Sequence, residues 1–423
     1  MDNNKNNNGR PTLARGCLQL VAPLFTALWL GLFAVQATAQ AAQSDERIRL
    51  GTLFSMTGPS AASGLTGLTA TRMAVAEINA AGGILGRQVD ILVADDASNP
   101  TQAVSETKRL ISRERIQLLV GPTVSQYSMA IGPLLAEARI ASIYLSGSAA
   151  LTPQVTPTGF SLYTSVDATA QTMLEYAANV RRAKSVALLT DTGAQGKASQ
   201  QAFKDKVDGL GLRLTGIQEH EPHAQDLVAQ LLSLRRGAPE LILHVSSLGD
   251  DLGQLMTSLD QLGWEVPVAS NVAGINVPMV LRVAGPGAYR KGNLAGVMLK
   301  AYTYCPGEPV GETEFGRFVG RLKAFAPQNF DKLNMQVVSM SYDSVFVLKE
   351  AVEATQSLDG PTLAAWLEEH ASTIEGRVNG QLTASPSSHF LIGSDSLVMA
   401  VRPDQQRADG LVLREGCPQS GPQ

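Results

Sequence analysis

The stretch MAVAEINAAGGILGRQVDILVADDASNP, Met73 to Pro100, decides the fold. Val75 and Ile78 lie three apart on one helical face, and Leu68 extends that face backward. Gly82 and Gly83 stop the helix, because glycine takes the left-handed cap conformation at little cost. Ile84, Leu85 and Gly86 make a short turn, and Val89 to Ala94 is a dense apolar run of strand length. Asp95, Asp96, Ser98 and Asn99 close the strand and offer capping side chains, with Pro100 suited to the first turn of the next helix. The unit is helix, tight turn, strand, capped loop, helix: one half of a βαβ layer.

The same alternation runs outward from it. Ile48–Phe54, Gln117–Val120 and Ala141–Leu145 read as strands, and Leu65–Ala81, Thr101–Ser112 and Gln126–Ala138 as helices. A second run starts near Ala168, with strands at Ser185–Thr190, Leu212–Ile217, Leu241–His244 and Val266–Ala269 between helices. Gly296–Tyr304 reads as a strand and connection, and Glu312–Phe325, Gln336–Ala354 and Pro361–Glu369 as helices. Such alternation builds a parallel sheet with helices on both faces. The length exceeds what one ordinary core supports, so two α/β lobes are expected. The tail after Arg402 is polar and is expected along the surface.

Several motifs in this order carry a resemblance. IRLGTLFSMTGP (Ile48–Pro59), the GGI-x-G turn, DDASNP and GPTVS (Gly121–Ser125) together resemble the leucine/isoleucine/valine-type periplasmic binding proteins, the type I solute-binding proteins of ABC importers. The resemblance covers nearly all of residues 47–400. It implies two Rossmann-like lobes, each a parallel sheet flanked by helices, joined by a three-strand hinge. The crossovers are expected near Ser165, Tyr302 and Gly376. Lobe one would hold residues 47–165 and 303–376, and lobe two residues 166–302 and 377–423.

The first 39 residues read as a signal peptide outside the fold. Lys5, Arg10 and Arg15 form a positive leader, Val21–Val35 an uncharged apolar core, and Ala37-Thr38-Ala39 or Ala39-Gln40-Ala41 a cleavage site. The alternative is a membrane anchor, but the apolar run falls short of the roughly 20 residues that span a bilayer. Cys17 precedes the apolar core, whereas a lipoprotein cysteine would follow it. Removing the leader, with Asp2 against three basic residues, takes the formal net charge from −4 to −6. That acidity argues against nucleic-acid partners and anionic membranes. An exported, periplasmic, monomeric protein is expected. Cys305 and Cys417 are then the two remaining cysteines, and an oxidising compartment favours a disulfide between them over two free thiols.

No G-x-S-x-G elbow, H-E-x-x-H or P-loop is present, and neither an enzyme nor a cofactor is expected. His220 and His223 form an H-x-x-H pair beside Glu219 and Glu221, read as a solvated loop, not a metal site. Asp95 and Asp96 read as turn and cap residues. GPTVS is more informative. It follows a strand and opens a helix, whose N-terminus offers N–H groups and partial positive charge to a carboxylate; an ordinary N-cap by Ser125 is the compatible plain reading. By resemblance, Ser125 and the backbone and hydroxyls around Ser146 and Ser148 would hold that carboxylate. The family's aromatic residue after the first strand falls at Ser63, and its turn tyrosine at Gln195. Its next tyrosine falls near Leu248, and its ammonium-pairing acid near Asn271 or Val272. Tyr342 in SYDSV matches a family tyrosine near the cleft.

The implied function is capture of a small carboxylate-bearing or polar solute by hinge closure, for delivery to an ABC permease. A plain aliphatic amino acid is disfavoured, because a buried ammonium would lack a partner. A ligand sensor of the same fold and a true amino-acid-binding protein are the alternatives. An exported hydrolase is a third, and the missing motifs argue against it.

Overall fold

The computed structural model describes residues 47–148, 150–246, 249–271, 277–288, 294–309, 311–375, 377–401, 407 and 410–417. The expected leader lies outside them. Two six-stranded sheets organise the described chain. The first contains β1 (Ile48–Phe54), β2 (Val89–Asp95), β3 (Leu118–Val120), β4 (Ala141–Tyr144), β5 (Gly159–Thr164) and β12 (Phe390–Ile392), in the order β12-β5-β4-β3-β1-β2, all parallel. The second contains β6 (Ser185–Asp191), β7 (Arg213–His220), β8 (Leu241–Val245), β9 (Val268–Ser270), β10 (Leu294–Leu299) and β13 (Leu397–Val401), in the order β13-β10-β9-β8-β6-β7. The two orders are the same when each sheet is counted from its own first strand. They differ in the last strand: β12 runs parallel to β5, and β13 antiparallel to β10.

Helices cover both faces of each sheet, which is why its inner strands, such as β3, β4 and β8, are buried along their length, while the edge strands β2 and β7 carry polar residues. In the first sheet Leu50, Phe54, Leu118 and Val120 face one layer, where α1 (Ala61–Ala80) and α10 (Met335–Thr355) pack. Leu53 and Leu119 face the other, toward α2 (Pro100–Ser112) and α3 (Ser125–Glu137). In the second, α4 (Val166–Glu175) and α5 (Ala194–Val207) lie on one face. The other face meets α6 (Val228–Arg235), α7 (Gly249–Gln261) and α8 (Val277–Ala284). Helices α9 (Glu314–Phe325) and α11 (Gly360–His370) complete the first half.

Local signals set the boundaries. Asn99 caps α2 through bonds from the N–H groups of Thr101 and Gln102, at 2.8 and 3.1 Å, with Pro100 in its first turn. Gly82 and Gly83 both take positive φ after α1. The helix starts at Ala61, four residues before the expected Leu65, which brings Ser63 into its first turn.

The chain passes from the first sheet to the second between β5 and α4, and returns after β10 through Lys300–Tyr302. The third passage is corrected. It was expected near Gly376, which lies outside the described residues, but Phe390–Ile392 still pairs with β5, so the chain leaves the first sheet only between β12 and β13. His389 fixes this: it is buried, stacks on Phe160 with centroids 4.0 Å apart, and bonds the carbonyl of Gly159 at 2.9 Å.

The tail is also corrected. β11 (Thr303–Tyr304) and β14 (Val412–Leu413) form a parallel pair, and Leu411 and Val412 are buried. Cys305 and Cys417 are joined by a disulfide with their Cα atoms 5.6 Å apart, so the segment is pinned against the returning crossover. Glu415 then accepts from the hydroxyl of Tyr176 at 2.6 Å and pairs with Arg181. Apolar burial and these bonds hold what composition alone marks as surface.

Candidate functional site

A cavity of about 850 Å3 lies between the halves, at the carboxyl ends of the strands. In both sheets it opens where the strand order reverses, beside β1 and β3 in one and β6 and β8 in the other. Three connections follow from that. The loop after β1 leads into α1 and places Ser60 and Ser63 on the wall. The loop after β3 leads into α3 and places Thr123 and Val124 there. The loop after β6 leads into α5 and places Gln195 opposite. Each is a helix N-terminus, so the wall carries partial positive charge from both halves.

Close backbone approach shapes two of these turns. A Cβ on Gly64 would lie 1.9 Å from the carbonyl oxygen of Ser55, and one on Gly196 would lie 1.9 Å from that of Asp191. Only glycine lets each helix start directly on the strand end. Asp95 and Asp96 build the first loop. Asp95 accepts from the N–H groups of Met56 and Ala97 at 2.7 and 2.8 Å, and Asp96 from the Ser55 hydroxyl at 2.5 Å. Burial raises the Asp95 carboxyl, but the hydrogen bonds from Ala97, Thr57 and Met56 outweigh it and hold it below its ordinary value. Asp96 is pushed up, chiefly by burial. Both are structural.

The candidate residues divide. Ser63, Gln195 and Asn271 line the cavity. Asn271 is 2% exposed; its amide N–H bonds the carbonyl of Ser246 at 2.9 Å, and its Oδ1 has no partner among the described residues. Ser125 is the first residue of α3, and Val124 holds the cap position with extended backbone and no side-chain cap bond. The Ser125 hydroxyl instead accepts the backbone N–H of Ser148 at 3.2 Å, tying the loop after β4 to the helix start. Ser146 is corrected: it is buried, with its hydroxyl 3.0 Å from that of Ser128, and Leu145 takes its place on the wall. Tyr342 is corrected too. Its hydroxyl bonds Glu77 and lies 3.2 Å from Arg321, between α1 and α9, away from the cavity. Leu248 and Val272 lie outside the described residues.

His220 is not in a solvated loop. It ends β7, is buried, and stacks on His244 of β8 with centroids 5.7 Å apart. His223 is the exposed member of the pair. Among the described residues no group of three or more His, Cys, Asp or Glu could hold a metal ion.

Sequence reasoning missed the wall between α9 and α10. Phe330, Leu333, Met335 and Val337 line the cavity there, with Asp331 and Lys332 as its charged lining residues among those described. Val412 of the pinned tail closes the same end. No local pattern marks these positions, because separate segments bring them together.

The decisive comparison is with the periplasmic binding protein family, whose model matches residues 47–406. This chain belongs to that family. It is a type I periplasmic solute-binding protein of the branched-chain-amino-acid type, a family that binds small molecules and works with ABC permeases. An amino acid binding protein of Pseudomonas aeruginosa is 26% identical over 327 residues, spanning 76% of this chain and 82% of that one. Among solved structures, LivJ of Streptococcus pneumoniae in complex with isoleucine has a TM-score of 0.67 at 19% identity, covering 87% of this chain and 98% of that one. A solute-binding protein of R. palustris in complex with 4-hydroxybenzoate has a TM-score of 0.68 at 18% identity, covering 87% and 95%. These likenesses give the binding protein its fold. No helix among its described residues is long and apolar enough to cross a membrane.

Proposed function

We propose that this binding protein captures a carboxylate-bearing or strongly polar small solute between its lobes and delivers it unchanged to an ABC permease. The observation that carries the reading is the convergence of three helix N-termini, those of α1, α3 and α5, on one cavity. Their N–H groups and partial positive charge suit a carboxylate. Ser60, Ser63, Thr123 and Gln195 add neutral donors. Bound ligand bridges both walls and so favours the closed arrangement.

An ammonium is poorly served. Asn271 and Ser246 line the second half's wall, and the lining acid, Asp331, is exposed at the other end. A buried ammonium without a counter-charge is costly. The amino-acid reading is supported by the name of the Pseudomonas relative and by isoleucine in the LivJ complex. The 4-hydroxybenzoate complex supports an acid without an ammonium.

A thermal-shift screen of amino acids, aromatic acids, short dicarboxylates and amides separates the two, since a ligand that binds the native state raises Tm by mass action. Organic acids are expected to stabilise, and leucine, isoleucine and valine to shift Tm little. Tight leucine binding overturns the reading. We further propose that the protein works in the periplasm as a monomer after cleavage before Gln40 or Ala42, which N-terminal sequencing and sedimentation check.

A further inference from the structure

The three chain passages are not the only links between the halves. In the tail, Arg407 and residues 410–417 reach both. Two successive backbone groups show it. The N–H of Arg414 bonds the carbonyl of Tyr304 at 2.9 Å, and the N–H of Glu415 bonds the carbonyl of Met399 at 3.0 Å. Tyr304 belongs to β11, which leads into the first half, whereas Met399 belongs to β13, an edge strand of the second sheet.

Side chains extend both attachments. Toward the first half, Gly410 packs on α9, where an added Cβ would lie 3.3 Å from the Phe315 ring and 3.5 Å from Val319. Arg407 donates to the carbonyls of Glu308 and Pro309 at 2.9 and 3.2 Å, and its guanidinium lies over the Tyr304 ring at 4.2 Å. The Arg414 guanidinium donates to the Thr303 hydroxyl at 2.9 Å. Toward the second half, Glu415 accepts from the Tyr176 hydroxyl at 2.6 Å and from Arg181 at 3.3 Å, both just beyond α4. Burial first, and then Glu415, push the Tyr176 hydroxyl up, so it stays a donor.

The arrangement is more than a packed terminus. β11 and β14 pair over only two residues, too few to hold by themselves, and the Cys305–Cys417 bond ties that pair covalently. Gly410 and Val412 line the cavity. The segment therefore lies on the cleft side of the hinge, where opening pulls its two attachments apart. A crossover can turn, because φ and ψ at a few residues absorb the rotation. Side-chain bonds made to both halves cannot absorb it, and must lengthen or break.

We propose that Arg407 and residues 410–417 act as a strap across the hinge that limits how far the cleft opens, with the Cys305–Cys417 bond as its fastener. This goes beyond the functional reading above and does not depend on which solute the cleft takes. A narrower range of open arrangements leaves less freedom to lose on closing, so the strap favours capture.

The test is the distance between the two cavity walls, measured without solute by pulsed electron paramagnetic resonance. p-Acetylphenylalanine, spin-labelled through its ketone, replaces Leu65 and Lys197, both exposed and near the starts of α1 and α5. This leaves the cysteines untouched. The oxidised protein should give one narrow distribution. Dithiothreitol reduces the bond by two electrons and two protons: its own two thiols become a cyclic disulfide as Cys305 and Cys417 become thiols. Reduction, and separately Cys417→Ser, should broaden the distribution and move its mean outward by more than about 2 Å, the scale of a domain rearrangement. Arg407→Ala and Glu415→Gln keep the disulfide and should broaden it less.

Circular dichroism checks that each sample is folded at the measuring temperature. If reduction or Cys417→Ser unfolds the protein, Arg407→Ala and Glu415→Gln decide. Superimposable distributions for the oxidised parent and every folded sample overturn the proposal, and so does an inward shift on reduction.

Discussion

The Ser125 hydroxyl accepts the backbone N–H of Ser148 at 3.2 Å, joining the helix after β3 to the loop after β4. One hydroxyl therefore positions two segments at the same sheet edge, and its own proton remains to be donated. Ser125→Ala is expected to weaken an anionic ligand by roughly 1.5–3 kcal/mol, the usual worth of a hydrogen bond to a charged group. Calorimetry with the strongest stabiliser from the thermal-shift screen measures it. An unchanged affinity would place the head group elsewhere.

The matched glycines offer a test of stability. Gly64→Ala and Gly196→Ala each drive a Cβ to within 1.9 Å of a strand-end carbonyl oxygen. Backbone cannot yield as a side-chain tip does, so each should cost ~1–3 kcal/mol or more in urea unfolding. Gly209 has nothing within 4 Å of such a Cβ. Gly209→Ala should be neutral or slightly stabilising, by up to about 1 kcal/mol.

The Cys305–Cys417 bond closes a separation of 112 residues. In the chain-entropy model a loop of this size contributes on the order of 4–5 kcal/mol. The double substitution Cys305→Ser with Cys417→Ser should lower the urea midpoint accordingly. Non-reducing mass spectrometry of the native protein should find no alkylatable thiol at either position.

Acid should destabilise the second half through His244. Burial first, and then the neighbouring His220, push His244 down to about 3. The folded state keeps it neutral, whereas the unfolded chain binds a proton below about 6.5. Its contribution to stability is complete above that value and is lost as pH falls toward 3, by at most roughly 1.4 kcal/mol per pH unit. His244→Leu should flatten the loss between neutral pH and pH ~4 relative to the parent. Parallel curves for the two proteins would show that His244 does not carry it.

Much of the fold is legible because it rests on local signals. The apolar run of β2, the paired glycines before it and the Asn99 cap behind it are all written within Met73 to Pro100. The strand ends follow from that alternation, and with them the places of Ser63, Gln195 and Asn271. Tyr342 shows where this stops. It lies two residues from Met340 on α10, about 200° around the helix axis, so Met340 reaches the cavity while Tyr342 meets Glu77. A motif fixes the residue but not which way the helix is turned. His220 and Val412 are misread for a related reason: polar neighbours in sequence say nothing of the buried partners that His244 and Thr303 supply. The three-residue strand Phe390–Ile392 is too short to announce its partner.

That short strand has a consequence for how the chain reaches its native state. Phe390 pairs with Ser161, so β5 stays an unpaired edge until nearly all of the polypeptide is available. Pairing across such a distance is slow, because the chain closes a long loop before it gains the contact. An exposed edge meanwhile offers its N–H and C=O groups to other molecules. A truncated chain ending before His389 would therefore lose more than three residues of sheet: it would keep an open template for aggregation.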